Sequence, residues 1–219
     1  MTAPDARPVA VRPFSTLQAI VDVDVAAAAS WAAVDLARAY LSGGARFLQL
    51  RAKTLPSSVF LEVCDAVVAL AHEAGALVIV NDRVDLARLS GASGVHVGQD
   101  DLPVAEARAL LGTEAVIGFS THSVAQIESA LRQPSSYVAV GPVFGTRTKA
   151  TGYEAVGLRL VSDAVGLCGE RPVVAIGGIT LENAASVIGA GAACVAVIGD
   201  LLAGGKPEER VRAYCRALR

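Results

Sequence analysis

The run FLQLRAK, residues 47–53, sets Gln49, Arg51 and Lys53 at alternate positions, so an extended chain sends all three side chains the same way. Two of them are cations ending an apolar run, an arrangement suited to an anion with several negative oxygens. Asp82, from VND, and Asp101, from GQDD, are acids that a fold could unite as a hard oxygen site. Mg2+ is bound in this way, by one or two carboxylates together with phosphate oxygens and water. A divalent ion beside Arg and Lys meets the need of a departing pyrophosphate, whose charge must be neutralised as it leaves. The structural alternative for each Asp is a helix cap.

Other residues extend this chemistry. GTRTK supplies Thr146, Thr148 and Lys149 after a glycine, as hydroxyls, backbone N–H groups and one point charge for an oxyanion, or as a solvated polar loop. Gly177 and Gly178 end one apolar run, and Ile198 and Gly199 end another. Backbone N–H groups at two such ends can receive a phosphate, although glycines also serve tight turns. Asp200, the next residue, would repel that phosphate unless it faces away. His72 falls in a helical stretch, and His96, inside GVHVG, reads as a packed core imidazole. His122, just past Ser120, could shuttle a proton or start a helix. No Ser/His/Asp or Cys/His pairing stands out, so charge stabilisation rather than a side-chain nucleophile is expected.

These residues need a frame that gathers the ends of many strands. From residue 17 onward, eight short Val/Ile/Leu-rich runs (LQAIVD, FLQLRAK, LVIVND, GVHVGQ, AVIGFS, YVAVGPVF, PVVAIGG and CVAVIGD) alternate with stretches of helical period. Only about a dozen residues separate the third run from the fourth, so the helix between them must be short. The pattern predicts a single-domain (β/α)8 TIM barrel over residues 17–219, preceded by a flexible N-terminal arm, 1–16, with three prolines. A doubly wound open sheet is the competing arrangement. In a barrel the polar residues that end each strand converge on one face.

Composition fits that frame. The 219 residues are 53% hydrophobic but only 5% aromatic, so the core is built from Val, Leu, Ile and Ala, as buried parallel strands require. A formal charge of -2 lacks the basic surplus of a nucleic-acid binder. Apolar stretches are broken by charge before they reach membrane-spanning length, and residues 1–15 lack the apolar segment of a secretory signal, so a cytoplasmic protein without membrane partners is expected. Cys64, Cys168, Cys194 and Cys215 form no CxxC pair and are assigned to packing.

Taken in order, QLRAK, VNDRVDLA, GVHVGQDDLP, IGFSTH, GPVFGTRTK, AIGGIT and AGAACVAVIG resemble the thiamine phosphate synthase family over some four-fifths of the chain. The resemblance implies a (β/α)8 barrel that joins 4-amino-5-hydroxymethyl-2-methylpyrimidine diphosphate to a thiazole phosphate or its carboxylated form. The products are thiamine phosphate and pyrophosphate, and pyrophosphate is expected to leave first to give a pyrimidine-stabilised carbocation. It further implies that Gln49, Arg51, Lys53, Asn81, Ser120 and Lys149 contact the pyrimidine diphosphate, together with the intervening Leu50 and Ala52. Asp82 and Asp101 would hold Mg2+, and Thr146, Arg147, Thr148, Gly178, Ile198 and Gly199 would take the thiazole phosphate. Arg51, Lys53, Ser120 and Lys149 are the expected catalytic groups, and a homodimer is left open. Gln18 and Val21 replace a tyrosine and a threonine usual in the first strand, while Gly145 and Gly199 replace a proline and a serine. Two alternatives stand beside this one. A thiazole tautomerase-like isomerase would lack the acidic pair, and a non-catalytic phosphate-ligand barrel would retain binding alone.

Overall fold

A computed structural model describes residues 15–145 and 154–219. The strands are β1 (Leu17–Asp22), β2 (Phe47–Arg51), β3 (Leu77–Asn81), β4 (Gly94–Val97), β5 (Val116–Thr121), β6 (Tyr137–Val140), β7 (Val173–Ile176) and β8 (Cys194–Val197). All neighbours pair in parallel, and β1 pairs with β8 to close the barrel. The predicted (β/α)8 fold is therefore the observed one, and the open sheet is excluded. Val195 N–H donates to the Thr16 carbonyl at 2.9 Å, so pairing begins one residue before β1, within the stretch that sequence assigned to the arm.

The alternation of each strand divides its side chains between two cores. Odd positions of β1 and even positions of β2, such as Ala19, Val21, Leu48 and Leu50, join Val78, Val80, Val95, Val97, Val138 and Val140 beneath the helices. The opposite faces fill the barrel itself with Ile20, Phe47, Ile79, Val116, Tyr137, Val174, Cys194 and Ala196. This two-sided burial explains why the strands read as nearly continuous apolar runs.

Helices α1 (Val23–Ala28), α2 (Ala33–Ser42), α3 (Ser57–Glu73), α4 (Val84–Ser90), α5 (Val104–Leu111), α6 (Val124–Leu131), α7 (Gly157–Cys168), α8 (Ala184–Gly189) and α9 (Pro207–Ala217) surround the strands. As the spacing required, α4 is short, ended by Gly91 in the left-handed conformation. The sequence reading missed α1, which the buried Asp22 starts by accepting the Val25 N–H. At the opposite end of the barrel from the strand C-termini, Arg108 donates to the carbonyls of Ala115 and Pro134, and Arg171 to those of Ala130 and Gln133. These contacts staple the lower loops and leave the upper ones to carry chemistry.

Candidate active site

Gln49, Arg51, Lys53, Asn81, Asp82, Ser120, Gly178, Ile198 and Gly199 line one cavity of about 610 Å³ at the C-terminal ends of the strands. Strand pleating accounts for the grouping. Gln49 and Arg51 share the inward face of β2, and Lys53, two residues past its end, keeps the same side. The same pleat leaves Leu50 and Ala52 only their backbone to offer a substrate. Leu50 is fully buried under the helices and Ala52 packs against that layer, so neither side chain faces the cavity. Thr146, Arg147, Thr148 and Lys149 lie outside the described residues.

The cations are paired. Arg51 Nη1 donates to Asp22 Oδ2 in a nearly sealed ion pair, the Asp22 side chain being 1% exposed and that of Arg51 15%. Lys53 Nζ donates to Asp82 Oδ2 at 2.5 Å, but its side chain is 53% exposed. Sequence reasoning gave Asp22 no role. Its signal was an acid ending the strand beside one that ends in Arg51.

Asp82 has φ +62°, in the left-handed region where a non-glycine residue is uncommon and Asp is among the most tolerant. The chain turns sharply here, with Asp82 N–H donating to the His96 carbonyl at 2.8 Å and Arg83 N–H to the Asn81 carbonyl at 2.8 Å. The turn sets the Asp82 carboxyl beside that of Asp101, near enough for each to shift the other. Burial works to raise both groups. At Asp82 the Lys53 ammonium, the Asp101 carboxyl and His96 outweigh it and hold the group below the usual carboxylate range. At Asp101 the neighbouring Asp82 reinforces burial, and the pKa rises despite the Gly98 N–H at 2.7 Å. Two neighbouring carboxyls whose pKa values are pushed apart suit a hard divalent cation, which would favour the ionised form of both. Asp101 does not itself line the cavity and is reached through Asp82. No group of three or more His, Cys, Asp or Glu side chains forms a protein-only metal cage among the described residues. A pair of carboxylates of this kind suits a magnesium ion that takes its other ligands from phosphate and water.

Deeper in the barrel, Gln18, Tyr137, His96 and Ser120 form a polar chain. Gln18 Nε2 donates to Tyr137 Oη at 3.4 Å, Tyr137 Oη meets His96 Nδ1 at 2.9 Å, and His96 Nε2 meets Ser120 Oγ at 2.8 Å. Gln18 and Tyr137 are buried, and burial raises the Tyr137 phenol strongly, keeping it neutral. His96, read from sequence as a packed imidazole, is packed and also supports a cavity residue. Gly118 makes room for it, with His96 and Tyr137 as its register partners on the two flanking strands. Of the two departures on β1, Gln18 thus reaches the site, and Val21 faces the helices. His122 is oriented by its ring Nδ1 against the Gly141 carbonyl at 2.5 Å.

Two features describe what the cavity would accept. Gln49 Oε1 is buried without a hydrogen-bond partner among the described residues and so awaits a donor. On the far wall, Gly177 and Gly178 have φ +103° and +62°, and a Cβ on Gly178 would come within 2.6 Å of the Gly145 carbonyl. That loop requires glycine, and Asn183 braces it by accepting from Thr180 N–H at 2.8 Å and donating to the Gly178 carbonyl at 3.1 Å. At Gly145, by contrast, no atom of the described residues lies within 4 Å of an added Cβ.

A family model described as thiamine monophosphate synthase matches residues 17–201. The chain is 40% identical over 205 residues to a thiamine-phosphate synthase of Roseiflexus castenholzii, covering 93% of this chain and 90% of that one. It is 46% identical over 172 residues to a thiamine-phosphate synthase of Anaeromyxobacter dehalogenans, covering 78% and 77%. Among solved structures, a thiamine phosphate pyrophosphorylase from Pyrococcus furiosus superposes with a TM-score of 0.83 at 27% identity, over 93% of this chain and 96% of that one.

Proposed function

Because this chain belongs to the thiamine monophosphate synthase family, we propose that it condenses the pyrimidine diphosphate with the thiazole phosphate to give thiamine phosphate and pyrophosphate. The observation that carries this reading is the convergence, in one cavity, of Arg51, Lys53 and the Asp82 carboxyl with the unpartnered Gln49 Oε1. The pyrimidine has an exocyclic amino group that can donate to Gln49 Oε1. That places its diphosphate toward the strand ends, where Arg51 and Lys53 offer N–H donors. Ser120, held by His96, lines the same cavity.

A Mg2+ ion held by Asp82 and Asp101 would neutralise part of the diphosphate charge and so make it a better leaving group. The carbon–oxygen bond between the pyrimidine methylene and the diphosphate breaks with its electron pair leaving on oxygen. The thiazole nitrogen then gives its lone pair to the same methylene carbon. No proton is gained or lost, consistent with the lack of any assigned general base. What the residues supply is charge stabilisation and alignment of two substrates, and fixing the reacting atoms in line is itself worth several kcal/mol, about 7–11 in favourable cases. Gly178, Ile198 and Gly199 are assigned to the thiazole phosphate together with Thr146, Arg147 and Thr148, and Lys149 to the pyrimidine diphosphate.

The protein is read as cytoplasmic. Its four cysteines are unpaired, as a reducing compartment leaves them, and no helix among the described residues is long and apolar enough to cross a membrane. The test is a reaction of purified protein with both substrates and Mg2+, followed by thiamine phosphate chromatography. Product and pyrophosphate in equal amounts are expected, and no product above a heat-inactivated control at saturating substrates and metal would refute the assignment. Size-exclusion chromatography with light scattering would decide the homodimer.

A further inference from the structure

Asp200 poses a problem that the structure resolves. It directly follows Gly199 and borders the cavity, where a bare carboxylate would oppose a phosphate. Its oxygens are instead consumed by α9. Asp200 Oδ2 accepts from Tyr214 Oη at 2.6 Å and from Arg210 Nε at 3.1 Å, and Arg210 Nη2 lies 2.9 Å from both Oδ1 and Oδ2. The same Oδ2 takes the backbone N–H of Leu181 at 3.1 Å. Arg210 Nη2 also reaches Glu182 Oε1 at 3.3 Å. One carboxylate thus joins the loop after β7, the loop after β8 and the C-terminal helix. The Tyr214 ring that completes the knot is fully buried.

The two loops so joined are those that present Gly178 on one side and Ile198 and Gly199 on the other. The backbone is irregular at Gly177, Gly178 and Ile198, and a short 3-10 helix begins at Gly199. Gly177 and Gly178 take positive φ, and Ile198 has φ -116° and ψ -87°. Their separation therefore depends on side-chain ties, and Asp200 is such a tie with a charge that Arg210 neutralises. We propose that Arg210 and Tyr214, which do not line the cavity, are positioning residues for the thiazole phosphate. They hold the two backbone loops at the spacing a phosphate requires and cancel the adjacent negative charge. This inference rests on the synthase reading and specifies what the C-terminal helix adds to it.

The experiment compares wild type with Arg210→Gln, Arg210→Lys and Tyr214→Phe. Binding of thiazole phosphate, of its phosphate-free alcohol and of inorganic phosphate is measured by calorimetry, and steady-state constants are measured for both substrates. In Arg210→Gln the Kd and KM for thiazole phosphate should rise about tenfold, the effect of losing one charge-assisted tie of ordinary strength. The KM for pyrimidine diphosphate and the affinity for the alcohol should stay within about twofold. Arg210→Lys should recover part of the loss, and Tyr214→Phe should show about a threefold rise, since one neutral donor is removed. A thiazole-phosphate Kd within about twofold of wild type in Arg210→Gln would overturn the proposal. So would an equal loss for the alcohol or the pyrimidine diphosphate, which indicates general loosening. If wild type forms no thiamine phosphate yet binds thiazole phosphate in this Arg210-dependent way, the synthase reading fails and the positioning role stands.

Discussion

Replacing Gly118 by alanine probes the polar chain beneath Ser120 through packing alone, without deleting any of its members. An added Cβ would sit 2.1 Å from Tyr137 Cζ, 2.2 Å from Tyr137 Oη and 2.4 Å from His96 Nδ1. Carbon contacts are comfortable near about 3.5–4.0 Å, so all three intrusions exceed what small adjustments absorb. Neither ring can step aside, because Tyr137 is 0% and His96 9% exposed and both stand on strands paired to that of Gly118. Overpacking a filled core costs about 1–3 kcal/mol. Breaking the Tyr137–His96 hydrogen bond and leaving a buried polar atom unsatisfied costs about 1–3 kcal/mol more. The sum, about 2–6 kcal/mol, lowers the melting temperature of a chain this long by about 2–4 °C per kcal/mol, or about 10 °C near the middle of the range. Gly166→Ala is the control. It lies exposed within α7 with no atom within 4 Å of the new Cβ, and it should gain about 0.5–1 kcal/mol from helix propensity and the reduced freedom of the unfolded chain. Calorimetric melts and urea titrations of both variants provide the measurement. If Gly118→Ala melts within about 2 °C of wild type, the rings beside it are not held as described and the support assigned to Ser120 is wrong.

Arg51→Ala and Lys53→Ala should separate stability from turnover. Both should slow synthesis at least about tenfold, but removing Arg51 also strands the sealed Asp22 carboxylate and should cost about 3–5 kcal/mol, whereas removing the exposed Lys53 should leave the melting temperature nearly unchanged. Equal melting shifts in the two variants, read by scanning fluorimetry, would contradict this division. Asp82→Ala and chelation of divalent ions should each reduce product formation by at least about tenfold, with Mg2+ restoring the chelated wild type but not the variant; full turnover in a chelator would remove the metal from the reaction. Burial pushes the Cys64 thiol up to about 12, with Asp65 adding and Arg83 opposing, and burial also raises Cys168 and Cys194. These thiols stay protonated at pH 8 and should react with a thiol reagent only after denaturation. Because only the unfolded chain ionises them as pH passes the ordinary thiol range, stability should fall with pH above about 9, and a flat or rising profile there would contradict the burial argument.

Much of the barrel was legible because two-sided burial writes each strand as an apolar run and each strand end as a change to polar residues. Gln49, Arg51, Asn81, Asp82 and Ser120 were found in that way, as inward or terminal positions of their strands. What was not legible has the same physical origin. Within the run from Gln49 to Lys53 the pleat turns the Leu50 and Ala52 side chains toward the helices and leaves only their backbone for a substrate. Tyr137 escaped notice, and Gln18 was noted only as a departure without a partner, because each is a single polar group inside a strand, with no spacing to announce it. Their significance depends on a partner 119 residues away in sequence for Gln18 and 41 for His96. The tie from Asp200 to α9 was equally hidden, since it requires knowing where the last helix docks. Sequence could say only that the carboxylate had to face away.

The ion pairs at the cavity mouth give the two cations of β2 different work. Arg51 is anchored, because its pair with Asp22 is almost sealed and Asp22 is itself fixed as the cap of α1. A guanidinium has five N–H donors in a rigid fork, so it can keep Asp22 on one edge and still present others to a diphosphate without moving. Lys53 has no such division of labour. Its single ammonium is a point charge paired with Asp82, one of the two acids assigned to the metal, and its flexible chain is half exposed. An arriving metal–diphosphate complex would take over Asp82 and offer phosphate oxygens to the displaced ammonium in exchange. The metal alone would have to displace Lys53 without compensation. Binding of the ion should therefore strengthen in the presence of diphosphate, and Lys53→Met should tighten binding of the ion alone while weakening that synergy. Titration of Mn2+ by its electron paramagnetic resonance signal, with and without inorganic pyrophosphate, measures both terms. Unchanged Mn2+ affinity in Lys53→Met would show that the ammonium does not guard the acidic pair.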